Sequence, residues 1–259
     1  MKSTLLSLAV VVALVYVLLC AYLWLMQRSM MYFPTPPADA VPAERLSVRS
    51  GHDMLRVFRL NSGRRDAILY FGGNAEDVAL NVPAFDDWFR SCTVYLVNYR
   101  GYGGSEGAPS EQALYDDARS VYERASGEHE RISVIGRSLG AAVATRLATE
   151  RTVDRLVLVT PPASFTRLAA ELYPVFPTGL LLRDRYDALA RAGHIESQVL
   201  VLIAERDEII PPAHSRELAA AIDPARVRTE VITGTGHNTI ETSPAYGRAL
   251  QSFLCERRA

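Results

Sequence analysis

The sequence predicts an α/β fold: a mostly parallel eight-stranded sheet with helices on both faces, preceded by one N-terminal transmembrane helix. Three observations predict it. Short β-branched runs such as "DAILYF", "TVYLV", "RISVIG" and "QVLVLIA" alternate with stretches of helical period. These runs are apolar throughout and end in loop residues, as strands buried on both faces do. Residues 5–26, "LLSLAVVVALVYVLLCAYLWLM", carry no charge at all.

That first run is long enough to cross a hydrocarbon core of about 30 Å at about 1.5 Å per residue. A cleaved leader has a shorter apolar region followed by small residues. Here Leu25, Met26, Gln27 and Arg28 follow instead, and Leu19 stands before Cys20 where a lipoprotein site needs a small residue. Residues 1–28 therefore read as a retained signal anchor. Lys2 and Arg28 give only a slight charge asymmetry, which leans toward a cytosolic N-terminus and an extracytoplasmic remainder. Trp24, Tyr32 and Phe33 suit an interfacial belt, and "FPTPP" predicts a stiff, extended exit within a linker over residues 29–44.

Residues 45–259 then read as one domain with no internal boundary. "RLSVRS" and "LRVFRL" form an antiparallel hairpin, followed by strands at 66–73 and 93–99. Between those strands residues 77–90 have helical spacing despite Pro83. Residues 110–125 begin with a Ser110 cap and continue as a helix. The strand "RISVIG", a helix over 139–150, the strand "DRLVLVT" and an irregular apolar segment at 161–192 come next. "QVLVLIAE", the helix "PAHSRELAAAI", the strand "VRTEVIT" and a helix from Pro244 complete the series.

Composition narrows the function classes. With 49% apolar residues, 22% charged residues and a net charge of -1, the chain can bury a sizeable core and is not of disordered type. No basic run interleaved with aromatics marks a nucleic-acid surface. Cys20, Cys92 and Cys255 lack the spacing of a zinc site or disulfide framework, and no metal or cofactor is implied. Cys92 and Cys255 are expected as separate thiols rather than a bridge.

The chemistry gathers at strand ends. In "VIGRSLGAAVA" a strand breaks into Gly136-Arg137-Ser138-Leu139-Gly140 and resumes as a small-residue helix. The two glycines permit a sharp turn that lifts Ser138 above the sheet and leaves the Leu139 N–H facing a developing oxyanion. A serine hydroxyl needs a base, and that base needs an orienting carboxylate. His237 in "TGTGHNTI" follows the final strand, and Asp207 in "AERDEIIPP" follows the strand before it; Glu208, adjacent to Asp207, is the substitute orienter. His52, His129, His194 and His214 lack such a setting and are expected to be solvated. The loop Gly72-Gly73-Asn74-Ala75-Glu76 offers the Asn74 N–H as second oxyanion donor, unless it is an ordinary Gly-Gly turn before a helix. Tyr99 and Arg100, in "NYRGYGGSEG", are expected to support the site without reacting.

Together "YFGGNAE", "NYRGYGGSEG", "GRSLGAAVA", "AERDEIIP" and "GTGHN" resemble the α/β-hydrolase superfamily, most closely the signal-anchored group related to the fungal bud-emergence protein and the serine-aminopeptidase-like hydrolases. The resemblance implies Ser138 as nucleophile, His237 as general base and acid, Asp207 as its orienter, and the N–H groups of Leu139 and Asn74 as the oxyanion hole. Two departures stand out: such relatives carry His-Gly-Asn where this chain has Gly72-Gly73-Asn74, and an aspartate where it has Asn98. The implied reaction is acyl transfer to Ser138 and hydrolysis of the acyl-enzyme, on a small-molecule or lipid-like acyl substrate. Segment 161–192 is a short lid whose Phe165, Leu168, Leu172, Tyr173, Val175, Phe176 and Leu180 to Leu182 either line an acyl pocket, touch the bilayer, or simply pack on the sheet. An anchored hydrolase-fold protein that binds a partner and catalyses little, and a secreted enzyme that loses residues 1–28, stand as alternatives.

Overall fold

A computed structural model describes residues 2–38 and 41–255. Its eight strands form one sheet in the order β1-β2-β4-β3-β5-β6-β7-β8. β1 (Glu44–Ser50) and β2 (Asp53–Leu60) make the predicted hairpin, closed by Gly51 at φ 60°. β2 also pairs antiparallel with β4 (Cys92–Val97). From there β3 (Asp66–Phe71), β5 (Arg131–Arg137), β6 (Arg155–Val159), β7 (Gln198–Ala204) and β8 (Val227–Ile232) run parallel. β4 and β6 are buried along nearly their whole length, which is why they read as unbroken apolar runs. β8 lies at the edge and places Arg228, Thr229 and Glu230 near solvent.

The chain leaves β3 toward β4 on one side and returns to β5 on the other, so its direction of winding reverses at the β3/β5 pair. Loops leaving two such strands diverge and open a crevice at their carboxyl ends. The parallel register sets Phe71 opposite Gly136, so the loops at 72–76 and at Ser138 start side by side.

Alternation along each strand divides the core in two. Ala67, Leu69 and Phe71 join the cluster under α3 (Glu111–Ser126), α4 (Leu139–Ala148) and α7 (Pro212–Ala220). Ile68 and Tyr70 join the cluster under α2 (Val82–Trp88) and α8 (Pro244–Cys255). The expected helix at 77–90 is split: a 3-10 turn at Val78–Asn81, capped by Asp77, precedes α2. Pro83 thus falls in the first turn of a helix, where its missing N–H is not needed. Ser110 caps α3 as expected, accepting from the Ala113 N–H at 3.3 Å. The irregular segment contains α5 (Phe165–Leu172), α6 (Thr178–Leu181) and a 3-10 turn at Leu189–His194.

The N-terminal helix α1 (Lys2–Met31) is long and apolar enough to cross a membrane. Its last turns do not stand clear of the domain. The Arg28 guanidinium donates to both carboxylate oxygens of Asp184 at 2.8 and 3.0 Å, and the Tyr32 hydroxyl reaches Tyr186 at 2.7 Å and Asp184 at 3.1 Å. Tyr32 is therefore a buried residue of the domain rather than part of an interfacial belt, because α1 delivers it onto Asp184 and Tyr186 of segment 161–192. Trp24 and Phe33 remain exposed.

Two of the four other histidines depart from expectation. His129 is buried between the Tyr95 hydroxyl and the Arg64 carbonyl, both at 2.8 Å. His214 is buried on α7, with Nε2 2.9 Å from Glu171. Local polarity around them in the sequence does not reveal partners that lie 34 to 65 positions away. His52 and His194 are exposed as expected. All three cysteines are free; Cys92 and Cys255 share the walls of one crevice at the amino ends of the strands, with α2 and α8 on the same sheet face.

The core beneath α2 is aromatic: Phe85 is 1% exposed and meets Tyr70 and Phe89 edge to face at 4.9 and 5.3 Å. Phe85→Ala should lower unfolding free energy by about 3–5 kcal/mol, seen as a lower denaturant midpoint at unchanged slope.

Candidate active site

Ser138 sits between β5 and α4 with φ 51° and ψ -111°, a conformation that costs a non-glycine residue energy and that its neighbours must impose. They do so by close approach. A Cβ on Gly140 would stand 2.0 Å from the Phe71 carbonyl oxygen, and one on Gly136 would stand 2.3 Å from the Gly140 carbonyl oxygen. Only glycine lets helix and strand come so near. The Ser138 N–H is spent on the Val159 carbonyl of β6 at 2.9 Å, which ties the turn across the sheet.

His237 reaches the site from the loop after β8 and Asp207 from the loop after β7. His237 Nε2 lies 3.0 Å from Ser138 Oγ, and Nδ1 lies 2.8 and 3.0 Å from Asp207 Oδ2 and Oδ1. With the proton on Nδ1, the ring donates to Asp207 and accepts from the Ser138 hydroxyl. Asp207 Oδ1 also accepts from the N–H groups of Ile209 and Ile210 at 3.0 and 2.7 Å, which fixes the carboxylate before any substrate arrives. Glu208, the alternative orienter, instead accepts from the His237 backbone N–H at 3.2 Å. It steadies the loop rather than the ring. Ser138, Asp207 and His237 are each more than nine-tenths buried.

The loop after β3 lies against this group. A Cβ on Gly73 would come within 3.7 Å of Ser138 Cβ. Among the described residues, the N–H groups of Leu139 and Asn74 have no protein acceptor. Two such donors beside a serine hydroxyl are what a tetrahedral oxyanion requires. Tyr99 supports the loop through its hydroxyl, which donates to the Gly72 carbonyl at 2.9 Å. Arg100 does not: it binds Asp117, Asp53 and Ser50, joining α3 to the β1/β2 hairpin. A side chain at position 72 has no room, since a Cβ there would meet Val78 Cγ1 at 2.9 Å and the Glu76 carboxyl at 3.2 Å. The departure from His-Gly-Asn is thus matched by Val78 and Glu76 filling the space. Asn98 donates through Nδ2 to the Arg56 carbonyl at 3.1 Å, a bond an aspartate does not make.

Two charged residues at the centre of the site lie outside the sequence-based assignment. Glu76 accepts from the Gly73 N–H at 2.6 Å, the Tyr70 hydroxyl at 2.5 Å and Asn81 Nδ2 at 2.7 Å, and from Arg137 Nη1 at 2.9 Å. Arg137 in turn donates to the His237 carbonyl at 3.1 Å and pairs with Glu241. Burial works against the Arg137 charge, and Glu76 more than restores it, so the guanidinium stays charged. One ion pair therefore joins the loop after β3, the turn that carries Ser138 and the loop that carries His237. The available signal was a charged residue at each of two positions facing into glycine-rich turns, "GGNAE" and "GRSLG".

Asn74 is held from the opposite direction. Its side chain donates to the Met31 carbonyl at 2.6 Å and accepts from the Phe33 N–H at 3.1 Å and the Tyr102 hydroxyl at 2.7 Å. The end of α1 therefore packs against the loop after β3.

A model of the alpha/beta hydrolase family matches residues 79–197. An uncharacterised protein of Mycobacterium tuberculosis is 37% identical over 266 residues, covering 95% of this chain and 93% of that protein. The alpha/beta hydrolase domain-containing protein WAV2 of Arabidopsis thaliana is 30% identical over 216 residues, covering 74% and 70%. Among solved structures, the Pyrococcus furiosus esterase Pf2001 superimposes with a TM-score of 0.73 at 17% identity, covering 87% of this chain and 98% of that one.

Glu76→Gln keeps the shape of the side chain and removes the charge that offsets Arg137. A buried cation stripped of its partner costs about 3–5 kcal/mol; Glu241 offsets part of this, so thermal unfolding should show a loss toward the lower bound. An unchanged melting temperature would mean that the pair does not hold the loops together.

Proposed function

Since this chain belongs to the alpha/beta hydrolase family, we propose that it is a membrane-anchored serine hydrolase that cleaves an acyl ester or a related carbonyl substrate. The observation that carries the proposal is the continuous relay from Ser138 Oγ to His237 at 3.0 Å and on to Asp207 at 2.8 Å, at a strained turn beside free N–H groups. Ser138 Oγ attacks the carbonyl carbon while His237 Nε2 takes its proton. The oxyanion is met by the N–H groups of Leu139 and Asn74, with the positive end of α4 adding to the field. The tetrahedral intermediate collapses, His237 returns its proton to the leaving oxygen, and the alcohol departs. Water then attacks the acyl-serine with His237 again as base, and releases the acid. Asp207 stabilises the imidazolium in both halves without itself taking the proton.

Residues 1–28 serve as the anchor, residues 29–44 as its exit and residues 45–259 as the catalytic domain, with segment 161–192 as the lid. The catalytic domain lies on the extracytoplasmic side. The length and apolar composition of α1 support the anchoring.

Ser138→Ala should abolish turnover of a short acyl ester and labelling by a fluorophosphonate probe, a loss of at least about a thousandfold. Asp207→Asn should cost about ten-thousandfold through the wrong imidazole tautomer, whereas Glu208→Gln should cost far less. Equal labelling of wild type and Ser138→Ala would refute the nucleophile and leave a binding role. For the anchor, the mature chain should retain the mass of residues 1–28 and stay with membranes in alkaline carbonate; a shortened, soluble product would mean a cleaved leader.

A further inference from the structure

A cavity of about 360 Å³ lies between α1 and the lid, walled by Leu19, Leu23 and Met31 on one side and by Phe165, Ala169 and Phe176 on the other. We propose that this cavity holds one acyl chain of a membrane lipid, fed from the bilayer, with the scissile carbonyl at Ser138. The proposal rests on the serine-hydrolase function above and adds the site and class of its substrate.

Shape is the first argument. Leu19, Leu23, Gln27 and Met31 recur every four residues, so they form one stripe along α1. Leu19 and Met31 are twelve positions apart, so this stripe runs about 18 Å along the cavity at about 1.5 Å per residue, which suits a single unbranched chain better than a ring or a branched head. Chemistry is the second. The buried amide of Gln27 is spent entirely on backbone: Nε2 donates to the carbonyls of Trp24 and Leu181 at 2.8 and 3.0 Å, and Oε1 accepts from the Arg183 N–H at 2.7 Å. The wall therefore rejects a ligand that must keep hydrogen bonds and accepts one that has none.

Depth is the third. Residues 5–26 centre on Tyr16, whose hydroxyl donates to the Val175 carbonyl at 2.8 Å and whose ring stacks on Phe176 at 6.1 Å. The connection between α5 and α6 thus lies alongside the middle of the span rather than above it. Val175 is 70% exposed and Leu180 83%, with Leu172 and Tyr173 exposed beside them, a patch that water disfavours and an acyl layer receives. The outer end of the channel opens at hydrocarbon depth. Its inner end is Met31, whose carbonyl accepts from Asn74, and Asn74 adjoins Gly73 against Ser138. The Arg28–Asp184 pair and the Gln27 bonds hold the two walls together.

The test uses the full-length protein in phosphatidylcholine vesicles with nitrophenyl esters of butyric, octanoic, dodecanoic and hexadecanoic acid. Each methylene that enters the cavity should raise kcat/KM by up to about fourfold, so the dodecanoate should exceed the butyrate by at least about tenfold. Ala169→Trp from the lid and Leu23→Trp from α1 should each reduce that ratio by about tenfold or more, since an indole fills the channel. Binding of a fluorescent long-chain fatty acid to Ser138→Ala should be weakened by the same two substitutions added to that background. Hydrolysis of butyrate with no gain along the series, or a ratio unmoved by both tryptophans, overturns the acyl channel and leaves the hydrolase intact. No ester turnover and no fluorophosphonate labelling, together with fatty-acid binding that the tryptophans block, overturns the hydrolase and leaves the channel. Fatty-acid binding to Ser138→Ala that neither tryptophan weakens overturns the channel as well.

Discussion

Gly140 lies so close to the Phe71 carbonyl that no side chain fits between them, and the rest of the site follows from that contact. It presses the first turn of α4 onto the end of β3, which drives the single residue between β5 and α4 into a positive φ. Ser138 is raised above the sheet as a result, next to the loop that leaves β3. Strain of this kind persists only where surrounding structure over-determines it. Here it is held by the Ser138 N–H on Val159, by β3/β5 pairing, and by the small residues of α4 buried beneath the turn.

Electrostatics finish what the backbone begins. The three loops that supply Ser138, His237 and the free Asn74 N–H belong to different strands and have no backbone ladder in common. The Arg137–Glu76 pair, almost wholly enclosed, binds them: Glu76 takes the Gly73 N–H, and Arg137 takes the His237 carbonyl. A buried ion pair contributes little net stability but penalises any arrangement that separates its members. In this protein it specifies one relative position for three loops.

α1 is likewise more than a tether. Its terminal turn contributes Met31 and the following Phe33 to the support of Asn74, and Tyr32 to the buried core. A helix attached only by a flexible linker transmits no geometry; this one is fixed by Arg28 on Asp184 and by Gln27 on the backbone of Leu181 and Arg183. α1 therefore joins segment 161–192 to the loop that leaves β3.

Much of this was legible in the residues. Strand runs, the Ser110 cap, the glycines around Ser138 and the strand-end positions of Asp207 and His237 are local patterns, and local sterics and hydrophobic period determine them. Glu76 and Arg137 were present in the quoted turns, yet nothing local says that positions 61 apart share a bond. His129 and His214 are buried for the same reason: their partners come from distant segments. Tyr32 moved from an expected interface into the domain because helix α1 runs on to Met31 and carries it there. By itself the sequence determined the elements, their order and the residue types at each strand end, since those depend on neighbours within a few positions. Only the tertiary structure decided which loops face one another, which charges pair and which face of α1 becomes a wall of the cavity, because those contacts join segments that chain connectivity leaves far apart.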